Sequence, residues 1–245
     1  MSLSRNIRLF VQQKLFSGES IVLEEKASHY LHTVMRCVTG ESIKCFNAAD
    51  GEFLAQIKEI DKKRAVVEMR DQQRKPVAEP DIWLLFAPLK KDKTDFVIEK
   101  AVELGVAKVI PVVTSRTNNT RIKIERFEAQ ATEAAEQCGR LSVPSIAQQI
   151  TLKELVKNWD MSRTLFFMDE RRQGEPAVEV FKNSSQKAAL LIGPEGGFDE
   201  EEKKLLDKCS FVKNVSLGPR ILRAETAATS ALSVWQAVAG DWRKD

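Results

Sequence analysis

Arg220, Arg223 and Glu225 fall within six residues of one another in LGPRILRAETAATSA (217–231), a stretch whose other residues are mostly apolar or small. Two guanidiniums beside a carboxylate have two uses. They form surface ion pairs, worth ~0–1 kcal/mol. Or a planar guanidinium faces an anionic substrate or a negative charge that develops during a reaction. Two other stretches attract the same question. GPEGG (193–197) cuts off the apolar run AALLI (188–192) and precedes the acidic helical pattern DEEEKKLLDKC (199–209). PLKKDKTD (88–95) places Lys90, Lys91 and Lys93 in a loop after an apolar strand, where lysines are either solvated or contacts to phosphate.

The two glycine loops share a grammar: an apolar strand, Gly-Pro, then a helix. Gly193 and Gly218 let the backbone bend and approach a ligand with no Cβ in the way. Neither loop continues into the Gly-Lys-Ser/Thr of a phosphate loop, and neither has the dinucleotide spacing G-x-G-x-x-G. The acidic helix start at Asp199–Glu202 would repel a phosphate. The ligand expected here is therefore recognised through backbone groups and apolar contacts, as an adenosine-like molecule with a cationic or neutral tail would be. The small residues Thr226–Ala231 leave room for a flat ligand or another backbone. A Gly-Pro pair after a strand is also an ordinary turn. Two such loops on neighbouring C-terminal strands favour the ligand.

These loops need elements to hold them. In the first 75 residues, IRLFV (7–11), SIVLEE (20–25), SIKCFN (42–47), EFLAQIKEI (52–60) and RAVVEMR (64–70) read as strands, with Asp50-Gly51 as a hairpin turn. ASHYLHTVMR (27–36) reads as a short helix with Tyr30, Leu31, Val34 and Met35 on one face. Five strands and one helix predict a small β-barrel over residues 1–73, with Phe10 and Phe46 in its core. RKPVAEP (74–80) reads as a linker. Residues 81–245 then alternate strand and helix six times, which predicts a mostly parallel α/β sheet with helices on both faces. Gly105 sits at a helix C-cap, and Asp199 with Glu202 forms a capping box. In such a sheet, ligands bind beyond the carboxyl ends of the strands, where all three stretches above fall.

Composition removes several classes. Hydrophobic residues make up 43% and charged residues 30%, as in a soluble globular chain. No apolar run approaches the ~20 residues that cross a bilayer. The start, Met1 to Arg5, lacks the apolar core of a signal peptide. Four separated cysteines and two histidines (His29 and His32, read as packing or surface residues) offer no metal-ligand spacing, so no metal and a cytoplasmic location are expected. Residues 1–75 carry 13 Lys/Arg against 10 Asp/Glu, while the remainder carries 25 of each. A slightly basic N-terminal part is compatible with RNA, and Arg8 and Arg36 are its candidate contacts, together with Lys90, Lys91 and Lys93.

EKAVELGVAKVIPV, EQCGRLSVPSI, LLIGPEGGF and LGPRILRAETA, in that order along the chain, resemble the RsmE family of ribosomal RNA methyltransferases, of the SPOUT class. RLFV and HYLHTVMR…GE resemble the barrel domain of the same family. The likeness spans essentially the whole chain. It implies S-adenosylmethionine-dependent methylation of N3 of one uridine in small-subunit (16S) ribosomal RNA. It also implies a trefoil-knotted C-terminal α/β domain, a PUA-like RNA-binding barrel at the N-terminus, and a homodimer. By position, Gly193, Pro194, Glu195, Gly196, Leu217, Gly218, Ile221, Leu222 and Thr226 would meet the cofactor, and Arg220, Arg223 and Glu225 would serve catalysis. The competing expectations are a tRNA ribose methyltransferase, a non-catalytic RNA-binding or ribosome-assembly protein and, least favoured, a nucleotide-binding oxidoreductase.

Overall fold

The computed structural model describes residues 7–118, 122–171, 174–184 and 187–243. The signal-peptide reading of residues 1–5 lies outside them. The chain forms two compact units: Met1–Ala78 with Ala135–Val143, and Glu79–Ala134 with Pro144–Asp245.

The first unit is built on β1 (Arg8–Phe10), β2 (Ser20–Val22), β3 (Ser42–Asn47), β4 (Gly51–Ile60) and β5 (Ala65–Arg74), hydrogen-bonded in the order β1-β3-β4-β5-β2. Alternation along β4 and β5 sends Phe53, Ala55, Ile57, Ala65, Val67 and Met69 to one face, where they meet Leu9, Ile21 and Ile43 in a single core. The β3–β4 connection is the predicted turn: the Asp50 amide donates to Asn47 Oδ1 at 2.7 Å, and Gly51 has φ +88°. The expected helix starts as α1 (Glu25–His29) and continues as a π-turn over Tyr30–Val34, with the Met35 amide donating to the Tyr30 carbonyl. The wider turn shifts the face. Leu31 is fully buried and Tyr30 and Met35 pack on the core, whereas Val34 is 60% exposed, against the expectation of a four-residue stripe. Arg36 follows in left-handed backbone (φ 53°), with its side chain exposed.

Arg8 departs from its sequence reading as an RNA contact. Its Nε pairs with buried Glu52 at 2.6 Å, and its two terminal nitrogens donate to the carbonyls of Ala135, Glu136 and Arg140. Its guanidinium also lies 4.2 Å from the centre of the Phe46 ring. The residue is 8% exposed, so its donors serve the fold of this unit.

In the second unit every strand pairing is parallel. The strands are β6 (Ile82–Phe86), β7 (Lys108–Val113), β8 (Ser145–Ile146), β9 (Ile150–Thr151), β10 (Thr164–Met168), β11 (Glu175–Pro176), β12 (Ala188–Ile192) and β13 (Val212–Ser216). Their order is β11-β13-β10-β12-β6-β7-β8, with β9 also on β7. The helices are α2 (Lys91–Glu103), α3 (Ile124–Cys138), α4 (Leu152–Lys157), α5 (Ala177–Lys182), α6 (Glu200–Asp207) and α7 (Ala224–Val238). The central strands β10, β12 and β6 are continuous apolar runs, as burial on both faces requires. Among the described residues, no helix is long and apolar enough to cross a membrane.

The capping box of α6 is present: Asp199 accepts from the Glu202 amide, and Glu202 returns to the Asp199 amide. The Glu202 amide, with the Ser115 hydroxyl, holds the Asp199 carboxyl below its usual range. A depressed carboxyl stabilises the fold above its unfolded pKa, and that stabilisation is lost as pH falls through the folded value. Asp199→Ala therefore lowers Tm by roughly 2–4 °C at pH 7. The difference from the parent narrows below about pH 4. Thermal melts of the two proteins at pH 7 and pH 3.5 check this, and an equal difference at both pH values counts against it.

Candidate active site

A cleft of about 500 Å³ opens within the second unit at the carboxyl ends of β10, β12 and β13. The two glycine loops form two of its walls. Their strands were expected to be neighbours, but β10 lies between β12 and β13 in the sheet. The end of β10, Met168-Asp169-Glu170, thus becomes part of the cleft. Sequence reading passed over it because it carries no glycine. The rule that ligands bind beyond strand ends, applied to every strand, would have included it.

The Gly193–Gly197 loop is fixed from three directions. A Cβ on Gly193 would stand 2.6 Å from the ring of Phe198, which is fully buried and packs edge-on against Phe167. Arg116 donates to the Gly196 carbonyl at 2.7 Å. Glu170 accepts from the Phe198 amide and pairs with Lys203 at 3.2 Å. Arg116 itself is held through its neighbour, because buried Glu202 accepts from both the amide and the hydroxyl of Ser115. Behind the third wall, the fully buried Asp169 carboxylate takes the Arg171 Nε, and the fork of Arg171 spans on to Asp207. That contact holds the Asp207 carboxyl low.

The Leu217–Arg223 loop is more open. Gly218 has φ +108° with open space where a Cβ would project. Among the described residues, no protein acceptor meets the amides of Ile221 and Leu222. Arg220 and Arg223 line the cleft and are exposed, and no carboxylate pairs with either among the described residues. The ion pair considered for them with Glu225 is absent there. Glu225, in the first turn of α7, instead faces Lys93 at 3.8 Å, and its Oε2 is buried without a hydrogen-bond partner.

Gly193, Pro194, Glu195, Gly196, Leu217, Gly218, Ile221 and Leu222 all line the cleft, whereas Thr226 is exposed on α7 outside the lining. The three lysines are not a loop. The helix α2 starts at Lys91, with Lys90 as its N-cap, because the Thr94 hydroxyl exchanges bonds with both backbone groups of Leu89. Lys90 and Lys91 are exposed, while Lys93 bridges Glu195 at 3.2 Å and Glu225.

A family model described as "RNA methyltransferase domain" matches residues 77–236, and one described as "RNA methyltransferase PUA domain" matches residues 23–69. The chain is 34% identical to the ribosomal RNA small subunit methyltransferase E of Rickettsia conorii over 92% of this chain and 93% of that protein. Its fold is similar to that of a Legionella pneumophila protein described as a methyltransferase in complex with bound SAM (31% identity, TM-score 0.87, 97% of this chain and 99% of that one). It is also similar to the ribosomal RNA small subunit methyltransferase E of Neisseria gonorrhoeae bound to S-adenosylmethionine (27% identity, TM-score 0.88, 98% and 100%).

Proposed function

Because the chain belongs to the RsmE family of ribosomal RNA methyltransferases, we propose that it methylates N3 of a specific uridine in small-subunit ribosomal RNA, with S-adenosylmethionine as the methyl donor. The observation that carries this is the single cleft walled by both glycine loops and lined by Arg220 and Arg223.

The residues present fit the donor. The cleft volume lies within the ~300–1,000 Å³ of small-molecule sites. The open space over Gly218 and the unused Ile221 and Leu222 amides suit a nucleoside held edge-on by backbone. Gly193, Pro194, Glu195, Gly196, Leu217, Gly218, Ile221 and Leu222 would hold it, with Thr226 adjacent. When bound, S-adenosylmethionine supplies an electrophilic methyl group on a sulfonium.

The chain's residues deal with the uridine. N3 carries a proton and is a poor nucleophile until that proton leaves. Arg220 and Arg223 stabilise the resulting anionic base by preorganised charge. Glu225 lies outside the cleft lining with its Oε2 buried, so in this reading it positions the loop from the first turn of α7 and does not itself take the N3 proton. Because N3 is blocked by pairing in a duplex, the base is read unpaired or flipped out. Exposed Arg36, Lys90 and Lys91 are the phosphate contacts in this reading. Arg8 is left out because its donors are filled inside its own unit. By the same family reading, the enzyme is a cytoplasmic homodimer with a knotted C-terminal chain, and its partner is the ribosomal RNA or the assembled small subunit.

Methylation of assembled small subunits that lack the modification, followed by mapping of the modified base, tests the proposal. Methyl on a ribose, or on no base, would remove it. Calorimetry with S-adenosylmethionine separates the non-catalytic RNA-binding reading, which predicts no cofactor heat from folded protein. Gly218→Val should weaken cofactor binding roughly tenfold or more, since a β-branched residue at φ +108° is strained by ~1–3 kcal/mol and fills the cleft. An unchanged Kd would show that the ligand does not meet this loop.

A further inference from the structure

We propose that Lys93 is a positioning residue for the cofactor cleft: its ammonium joins the Gly193–Gly197 loop to the first turn of α7 through Glu195 and Glu225, and it does not contact RNA. This rests on the cofactor reading of the cleft.

Lys93 stands in the first turn of α2, where a cation opposes the helix dipole. Such a breach of a local rule marks a residue kept for another reason. Its Nζ lies 3.2 Å from Glu195 Oε1 and 3.8 Å from Glu225 Oε1. Glu195 lines the cleft, and Glu225 is two residues beyond the cleft residue Arg223. One ammonium therefore connects three segments that are far apart in sequence: the start of α2, the loop after β12 and the start of α7. The base of Lys93 cannot drift, because the next residue, Thr94, is fully buried and doubly bonded to Leu89. The Lys93 side chain is only 31% exposed, less available to a phosphate than the exposed Lys90 and Lys91. Without it, two carboxylates, one on the loop after β12 and one in the first turn of α7, would be left with no counter-charge between them. Like-charge repulsion would then move Glu195 and the loop that carries it.

The test compares Lys93→Met, Lys93→Arg, Glu195→Gln and the double variant Lys93→Met/Glu195→Gln. Cofactor Kd is read by calorimetry, and RNA Kd is read as a function of salt. Lys93→Met should raise the cofactor Kd about threefold to tenfold, the partial exposure of the group keeping the effect modest. Lys93→Arg should recover most of it. The double variant should cost less than the two single effects combined, because removing one acid relieves the repulsion that the lost ammonium leaves behind. The salt slope of RNA binding should not change. A Lys93→Met protein with parental cofactor Kd and a salt slope reduced by about one is an RNA contact instead, and strictly additive variants also overturn the proposal. If Lys93→Met does not fold, Glu195→Gln and Lys93→Arg apply the same test from either side of the ion pair. Failure of the parent protein to bind the cofactor would remove the reading of the cleft itself, a result distinct from any variant effect.

Discussion

Arg220→Ala and Arg223→Ala slow methyl transfer in the assembled complex by about 10²–10³-fold at the more important of the two positions. Both guanidiniums line the cleft, are exposed to an incoming substrate, and have no carboxylate partner among the described residues. Their charge is thus uncommitted in the free protein and available to a base that becomes anionic when N3 loses its proton. Removing a donor aimed at developing charge costs about 2.7–4 kcal/mol in a shielded site. The loss belongs to the chemical step, so the cofactor Kd moves far less than the single-turnover rate. Arginine-to-lysine replacements keep the charge and lose the planar fork, so they recover only part of the rate. Single-turnover methylation of small subunits at saturating cofactor is the measurement. Parental rates for both alanine variants would end the assignment of this loop to catalysis.

The second large effect is on stability. Arg8→Met leaves the Glu52 carboxylate buried without its main partner and removes three hydrogen bonds to the carbonyls of Ala135, Glu136 and Arg140. Breaking one side of a buried pair costs about 3–5 kcal/mol, and the nearby Lys44 at 3.8 Å places this case toward the lower end. Replacing both partners, as Arg8→Met/Glu52→Gln, costs less than Arg8→Met alone because no charge is orphaned. Tryptophan fluorescence is the wrong probe. All four tryptophans (Trp83, Trp159, Trp235, Trp242) lie in the second unit. Hydrogen exchange of the β3 and β4 amides reports on the first unit directly. Undiminished protection there in Arg8→Met would show that the pair contributes nothing net.

Which parts of this were legible follows from the range of the interactions that fix them. Strand β3 has the bounds read from sequence, because period and propensity are local. The capping box of α6 needs only residues 199 and 202. The start of α2 was misplaced because Thr94 bonds back to Leu89, a turn that the run of lysines disguises. The π-turn at Tyr30–Val34 uses the same residues as an α-turn, and only the packing of Leu31 and Met35 distinguishes the two. Within the site, both glycine loops announced themselves through backbone demands that few other residues meet. Asp169, Glu170 and Arg116 did not. Asp169 and Glu170 join the cleft because β10 lies between β12 and β13, a property of the sheet order, and Arg116 joins it from the loop after β7 by reaching the Gly196 carbonyl. For the same reason Arg8 read as a free surface cation: its partner Glu52 is 44 residues away and its carbonyl acceptors are more than a hundred.

That separation has a consequence for biosynthesis. The β-strands of the first unit are complete by residue 74, yet Ala135, Glu136 and Arg140, which cap Arg8, belong to a much later segment. At about 5–20 residues per second, the ribosome delivers those carbonyls about 3–12 s after the last strand. During that interval the nascent sheet carries an Arg8–Glu52 pair with open donors at its edge. The unit therefore reaches its final stability only after roughly a quarter of the chain has been added beyond it. A nascent chain arrested near residue 100 should be more readily cut by protease in its first 75 residues than one arrested near residue 180, although both contain every strand of the sheet.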